Sequence, residues 1–196
     1  TLEMLSNGTI DGFIVSVSEE AQKNQDYEHF SAIINDGTPI VMFDRIADGV
    51  DCDKVIVDDF DSALNSTQHL IDLGCKHIAL LSSIDNLSVG KLRADGYFKA
   101  LENNNIAVNN DIILRTDSED DLKDKIKKVF DNKIDGIFAL EENDSVAALR
   151  IALKKGYKVP EDISIIGFAD GILASRRLSP SLTTVSQHGI EIGEVA

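Results

Sequence analysis

Short runs of uninterrupted apolar residues alternate along this chain with stretches of helical periodicity, and that rhythm limits the folds open to it. The first run is Gly12-Phe13-Ile14-Val15, followed by a polar stretch in which Tyr27, Phe30, Ile33 and Ile34 recur at helical spacing. Ile40-Val41-Met42-Phe43 begins the unit again. A helix carrying Ala63, Thr67, Leu70 and Ile71 and closing at Gly74 then precedes Ile78-Ala79-Leu80-Leu81. Further helices are predicted near residues 92–103 and 118–130, the second with Ser118 and Asp121 placed as a capping box and Leu122, Ile126, Val129 and Phe130 on one face. Residues 136–140 and 163–168 read as strands around a helix that ends at Gly156. Strands that are apolar throughout and joined by helices belong in parallel sheets covered on both faces. The expected class is α/β, with no linker composition to mark a domain boundary.

Composition removes several function classes. Hydrophobic residues make up 43% of the 196, enough for a substantial core, but they come in runs too short to cross a bilayer. Residues 1–7 lack the layout of a signal peptide. The chain has no initiating Met and ends inside a helical stretch at 191–196, so it reads as a segment of a longer protein. A formal charge of −15 opposes a phosphate backbone, and the segment is not expected to bind DNA by itself. Cys52 and Cys75 read as two reduced thiols. There is no G-x-x-x-x-G-K-[ST] or G-x-G-x-x-G loop, no H-E-x-x-H and no G-x-S-x-G elbow, so His29, His69, His77 and His188 read as surface or packing residues. Asp58, Asp59 and Asp61 stand where acids cap a helix, a commoner role than cation binding. No catalytic residue, metal or cofactor is expected.

In open parallel sheets ligands bind outside the carboxyl ends of the strands. The candidate tips are Ser16, Asp44 with Arg45, Ser82 with Ser83, residues 141–144, and Ala169 with Asp170.

Several of these segments also carry a family resemblance, in order along nearly the whole chain. They are Asp11-Gly12-Phe13-Ile14-Val15-Ser16, Pro39-Ile40-Val41-Met42-Phe43-Asp44-Arg45, Val57-Asp58-Asp59, the stretch from His69 through Gly74 to Ala79, and Arg93-Ala94-Asp95-Gly96-Tyr97. Gly136-Ile137-Phe138-Ala139 leading to Asn143-Asp144 follows, then Gly156-Tyr157-Lys158-Val159-Pro160-Glu161-Asp162-Ile163-Ser164-Ile165-Ile166-Gly167-Phe168, and Pro180-Ser181-Leu182-Thr183-Thr184-Val185. This ordered set resembles the effector-binding domain of LacI-family transcriptional regulators, incomplete at both ends. The resemblance implies two doubly wound parallel-sheet lobes of the periplasmic sugar-binding-protein type, the N-terminal one incomplete. Residues 1–60, completed by 184–196, would form the first lobe and 61–183 the second. It further implies a cytoplasmic, non-enzymatic domain that takes a small molecule, a sugar or sugar derivative, in an inter-lobe cleft. Binding there would control operator DNA recognition by an N-terminal helix-turn-helix absent from this chain, in a homodimer without membrane contact. The alternative is the solute-binding protein of a sugar transporter, which shares the fold. The motif Val159-Pro160-Glu161-Asp162-Ile163-Ser164 and the Leu182-Thr183-Thr184 segment favour the regulator. A small-molecule enzyme on a similar sheet has no nucleophile and base pair to support it.

The resemblance also implies ligand residues. Arg93 matches the effector-contacting Arg before Gly-Tyr and is expected at a cleft edge, contributing contacts rather than core volume; its planar fork suits hydroxyls or a carboxylate. Asn143 matches the polar member of an Asn-Asp pair, with helix capping as its other reading. Asp44 matches an acidic tip, with pairing to Arg45 as its other reading. Ser16 and Gln187 match lining positions. Where many members place an acid directly after Gly-Phe, this chain has Ala169, and Asp170 comes one place late. The effector is therefore expected to meet an apolar surface at Ala169.

Overall fold

The computed structural model describes residues 10–116, 119–169 and 178–196. Its contacts divide the chain into two units: Thr1–Val57 with Asn86–Val89 and His188–Ala196, and Asp58–Asp85 with Gly90–Gln187.

The first unit is built on a parallel sheet of order β1-β2-β3, with β1 at Phe13–Val15, β2 at Ile40–Phe43 and β3 at Asp53–Val55. Helices α1 (Glu19–Asn24) and α2 (Glu28–Asn35) connect β1 to β2. Ser18 starts α1 by accepting from the Ala21 amide at 3.2 Å, filling one orphan donor of the first turn. Phe30 and Ile33 of α2 pack with Val17, Ile40, Met42 and Val50 into a small core. Ile14 is exposed among the described residues although its run is apolar, because alternation along β1 turns Phe13 and Val15 towards the small core and Ile14 to the other side of the pleat. The segment Asp53-Lys54-Val55 carries no apolar run; its pairing with β2, Val41 to Asp53 and Phe43 to Val55, makes it a strand.

The second unit holds a five-stranded parallel sheet of order β5-β4-β6-β7-β8. The strands are β4 (Ile78–Ser82), β5 (Ile113–Arg115), β6 (Gly136–Ala139), β7 (Ser164–Phe168) and β8 (Thr183–Val185). Helices α3 (Asp59–Asp72), α4 (Ser88–Asn103), α5 (Glu119–Val129) and α6 (Glu142–Lys154) join them, and α7 (Gly189–Val195) follows β8 in the first unit. The alternation of the pleat sorts the apolar runs into two cores. Ala79, Leu81, Ile137 and Ile165 face Leu122, Ile126 and Leu149 on one side; Ile78, Leu80, Phe138, Ile166 and Phe168 face Leu70, Tyr97 and Leu101 on the other. The central strands are therefore apolar along their lengths, with serine only at the end of β4 (Ser82) and the start of β7 (Ser164). Residues 184–187, expected in the first lobe, instead lie in the second unit, because β8 pairs with β7 from Ile166–Thr183 to Phe168–Val185.

Local chemistry sets the helix ends. Asp58 caps α3 by accepting from the Asp61 amide at 2.9 Å, and Gly74 (φ 98°) and Gly156 (φ 88°) take the left-handed turn that closes α3 and α6. The capping box expected at Ser118 lies outside the described residues. Among the described residues, no helix is long and apolar enough to cross a membrane.

Tyr97 shows how closely α4 packs on the sheet: it is 1% exposed and donates to the Ile78 carbonyl at 2.7 Å. Burial pushes its phenol well above the ordinary 10.0. A group raised in this way contributes stability that is complete below the unfolded value and is lost as pH rises towards the folded one. Tyr97→Phe is expected to cost about 1 kcal/mol at neutral pH by removing the hydrogen bond, and to flatten the loss of stability above pH 10. Urea titrations of both proteins from pH 7 to 11 check this; parallel alkaline limbs would contradict it.

Candidate ligand-binding site

The carboxyl end of the second sheet is organised around Arg93. Arg93 follows the buried face of α4, one turn before Tyr97 and two before Leu101, so its side chain runs inward and is 3% exposed. Its Nε donates to Asp59 Oδ1 at 2.7 Å, Nη1 to the Leu140 carbonyl at 2.7 Å and Nη2 to Gln187 Oε1 at 2.9 Å. The guanidinium lies 3.8 Å from the centre of the Phe168 ring, a cation–π contact. Three of the five N–H donors of the fork are thus directed at protein, leaving two on the terminal nitrogens.

This corrects the picture of Arg93 as an edge residue without core volume. It is the centre of a buried ion pair, because the helical register that carries Tyr97 into the core carries Arg93 with it. Gln187, named above as a lining position, meets it as a hydrogen-bond acceptor. Asp59, read above as a capping acid, pairs with Arg93 instead, and the Leu140 carbonyl and the Phe168 ring complete the surroundings of the guanidinium. The signal for Asp59 was two adjacent acids where one cap suffices: Asp58 caps α3, and Asp59, 4% exposed, is left to pair with Arg93.

A second group stands where β4 and β6 end. Asp144, 2% exposed, accepts from the Ser83 amide at 3.0 Å and from its hydroxyl at 2.9 Å. The same hydroxyl is 3.0 Å from Glu141 Oε2, and Glu141 Oε1 accepts from Asn143 Nδ2 at 2.9 Å. One hydroxyl hydrogen therefore stands between two carboxyl groups. Asn143 is exposed and holds Glu141; the residue before α6 makes no side-chain cap, so the capping reading of Asn143 falls away. Arg115 pairs with Asp85 Oδ2 at 2.9 Å. Asp85 Oδ1, Glu142 Oε1 and Ser82 Oγ are buried without a hydrogen-bond partner among the described residues.

In the first unit the tips of β1 and β2 meet. Arg45 Nε donates to Ser16 Oγ at 3.2 Å and lies 3.8 Å from Asp44 Oδ2, so Asp44 does pair with its neighbour. Asp44 adopts φ 57°, a left-handed conformation that costs a non-glycine residue about 1 kcal/mol or more, and its amide donates to the Val55 carbonyl at 3.2 Å.

Ala169 is 4% exposed and packs with Leu149 and Leu182, while its amide donates to the Val185 carbonyl at 3.1 Å. The expectation that an effector meets its methyl group is corrected: the pairing of β7 with β8 turns that side chain into the core. Asp170 lies outside the described residues. Among the described residues, no three or more His, Cys, Asp or Glu side chains group as metal ligands would.

Comparison with known proteins follows the same lines. Residues 67–196 match the model of the periplasmic binding protein-like domain. The HTH-type transcriptional repressor PurR of Haemophilus influenzae is 32% identical over 201 residues, covering all of this chain and 57% of the repressor. This chain thus spans a little over half the length of that relative. A LacI-family regulatory protein of Chloroflexus aggregans superposes with a TM-score of 0.85 at 24% identity, over 99% of this chain and 69% of that one. The transcriptional regulator CelR in complex with cellobiose gives 0.79 at 23%, over 98% and 59%. With two parallel-sheet units, strand-end polar groups and a family match over most of its length, the chain belongs to the periplasmic binding protein-like domain family and is an effector-binding domain of the LacI type.

Proposed function

We propose that this domain binds a small organic effector at the strand ends of its second unit, and that in the full-length protein the bound effector controls DNA binding by a helix-turn-helix outside this chain. The observation that carries the reading is the Arg93 constellation: a guanidinium fixed by Asp59, Leu140 and Gln187 over Phe168, with two N–H donors left for a ligand. Such a group is pre-organised, so an incoming acceptor need not order a long side chain. Arg93, Gln187 and Asn143 would contact the effector at the second unit, with Asp170 as a further candidate; Ser16 and Asp44 are the candidate ligand residues of the first unit, taken by itself. A carbohydrate is the proposed class, since hydroxyl groups both donate to carboxylates and accept from Arg, and the similarly folded CelR is described with cellobiose. No step of this role requires bond-making, so the domain acts as a sensor and not as an enzyme. Paired DNA-binding heads reading two half-sites would require a homodimer, and a role on DNA would place the protein in the cytoplasm.

Gel-shift titration of the full-length protein on its own promoter region tests the reading. One member of a mono- and disaccharide panel should change DNA affinity by roughly fivefold or more, a usual size for coupling between sites. These 196 residues alone should give no sequence-selective shift at physiological salt, given their charge of −15. Selective binding by the domain alone, or a full-length protein indifferent to the whole panel, would overturn it.

A further inference from the structure

One buried polar side chain has no part in the site described above. Gln22 is the buried residue of α1, 9% exposed, where a short helix packing on a small core would ordinarily carry an apolar side chain. Its side-chain amide makes three hydrogen bonds, and all three reach outside its own helix. Nε2 donates to the Ile46 carbonyl at 3.0 Å and to Ser88 Oγ at 2.9 Å, and Oε1 accepts from the Ser88 amide at 3.3 Å. The Ser88 amide is one of the donors that the first turn of a helix cannot satisfy internally, so Gln22 of α1 acts as a cap for α4.

The start of α4 is gripped before and after this point. Leu87 and Val89, each 7% exposed, flank Ser88, and Gly90 lies so close to the Ile84 carbonyl that a Cβ has no room. The helix is also divided by its contacts: Asn86–Val89 count with the first unit and Gly90 onward with the second. Arg93 follows Ser88 by five residues, about 7.5 Å along the helix axis. A hydrogen-bonded helix is stiff over that distance, so what fixes Ser88 also fixes where the Arg93 fork stands against Asp59 and Phe168.

Resting on the ligand-sensing reading for its functional consequence, we infer that Gln22 is a positioning residue of the effector site: from α1 it sets the start of α4, and through α4 the seat of Arg93. A side chain that only filled space here would be replaceable by leucine. One that positions α4 needs its acceptor. Glutamate keeps that acceptor, and its charge suits a helix N-terminus, while it gives up the donor to Ile46.

Hydrogen exchange of the full-length protein tests this without a ligand, by mass spectrometry for the α4 amides and by NMR for the Arg93 Nε–H, whose signal is assigned by its loss in Arg93→Lys. In Gln22→Leu the amides of residues 88–93 and the Arg93 Nε–H should exchange at least about fivefold faster, while residues 98–103 at the other end of the helix keep their rate. Gln22→Glu should bring both back to within about twofold of the parent. For a mono- or disaccharide of the panel that binds the parent in calorimetry, Gln22→Leu should weaken binding at least about threefold and Gln22→Glu should leave it unchanged. Unchanged exchange in Gln22→Leu, equal acceleration along the whole helix in both variants, or a saccharide affinity indifferent to Gln22→Leu overturns the inference. A panel that fails to bind the parent removes the carbohydrate reading, and the exchange rates then decide the role of Gln22 by themselves.

Discussion

Arg93→Ala is expected to lower the stability of the domain by about 3–5 kcal/mol, a large share of what a domain of this size commands. The substitution leaves Asp59, 4% exposed, as a buried carboxylate without its cation, and frees the Leu140 carbonyl and Gln187 amide oxygen of their shared donor. It also removes the group lying over Phe168. Arg93→Lys should recover only part of the loss, because one ammonium cannot reach three acceptors in the geometry of a planar fork. The pair Arg93→Met with Asp59→Leu should recover most of it, since two apolar residues of similar volume remove the desolvation problem instead of exposing it. Urea denaturation of the four proteins reads these differences directly. Were Arg93→Ala to unfold within about 1 kcal/mol of the parent while losing effector binding, Arg93 would be a ligand contact alone and the ion pair would count for little.

Gly96→Ala is the second substitution with a large expected effect, about 3 kcal/mol at the upper end of what overpacking usually costs. A Cβ on Gly96 would stand 2.3 Å from the Phe60 carbonyl oxygen, 2.8 Å from Ala63 Cβ and 2.9 Å from the Leu64 amide nitrogen. Two of these three are backbone of α3, so relief requires α3 and α4 to separate. Because Phe60 follows Asp59, the separation should also loosen the bond to Arg93 and weaken effector binding along with stability. Gly49→Ala, where an added Cβ meets nothing within 4 Å, is the matched control and should be close to neutral. Equal melting temperatures for the two variants would show that α3 and α4 yield more easily than their contact suggests.

The segment Arg93-Ala94-Asp95-Gly96-Tyr97 shows what could be read in advance and what could not. Its helical spacing and its place in an ordered family pattern were visible in the residues. That Asp95 alone of the five faces water, that Gly96 is where two helices touch, and that Arg93 points inward all depend on which face of α4 meets α3 and the sheet. Asn143 is a similar case. Its position at the end of an apolar strand was legible, but the choice between capping a helix and holding the Glu141 carboxylate rests on the backbone turn before α6.

By itself the sequence determined the α/β class, the central strands, the helix stops at Gly74 and Gly156 and the cap at Asp58. Each is a local matter of hydrophobic period or of one residue's backbone preference. Tertiary structure alone decided the rest. The three-residue strands at Asp53–Val55, Ile113–Arg115 and Thr183–Val185 exist because neighbouring strands supply their hydrogen bonds. The inward turn of Ala169 follows from the register of β7 on β8, and the identity of Asp59 as the partner of Arg93 joins residues 34 apart in the chain. Pairing and burial are set by atoms distant in sequence, so no local pattern encodes them.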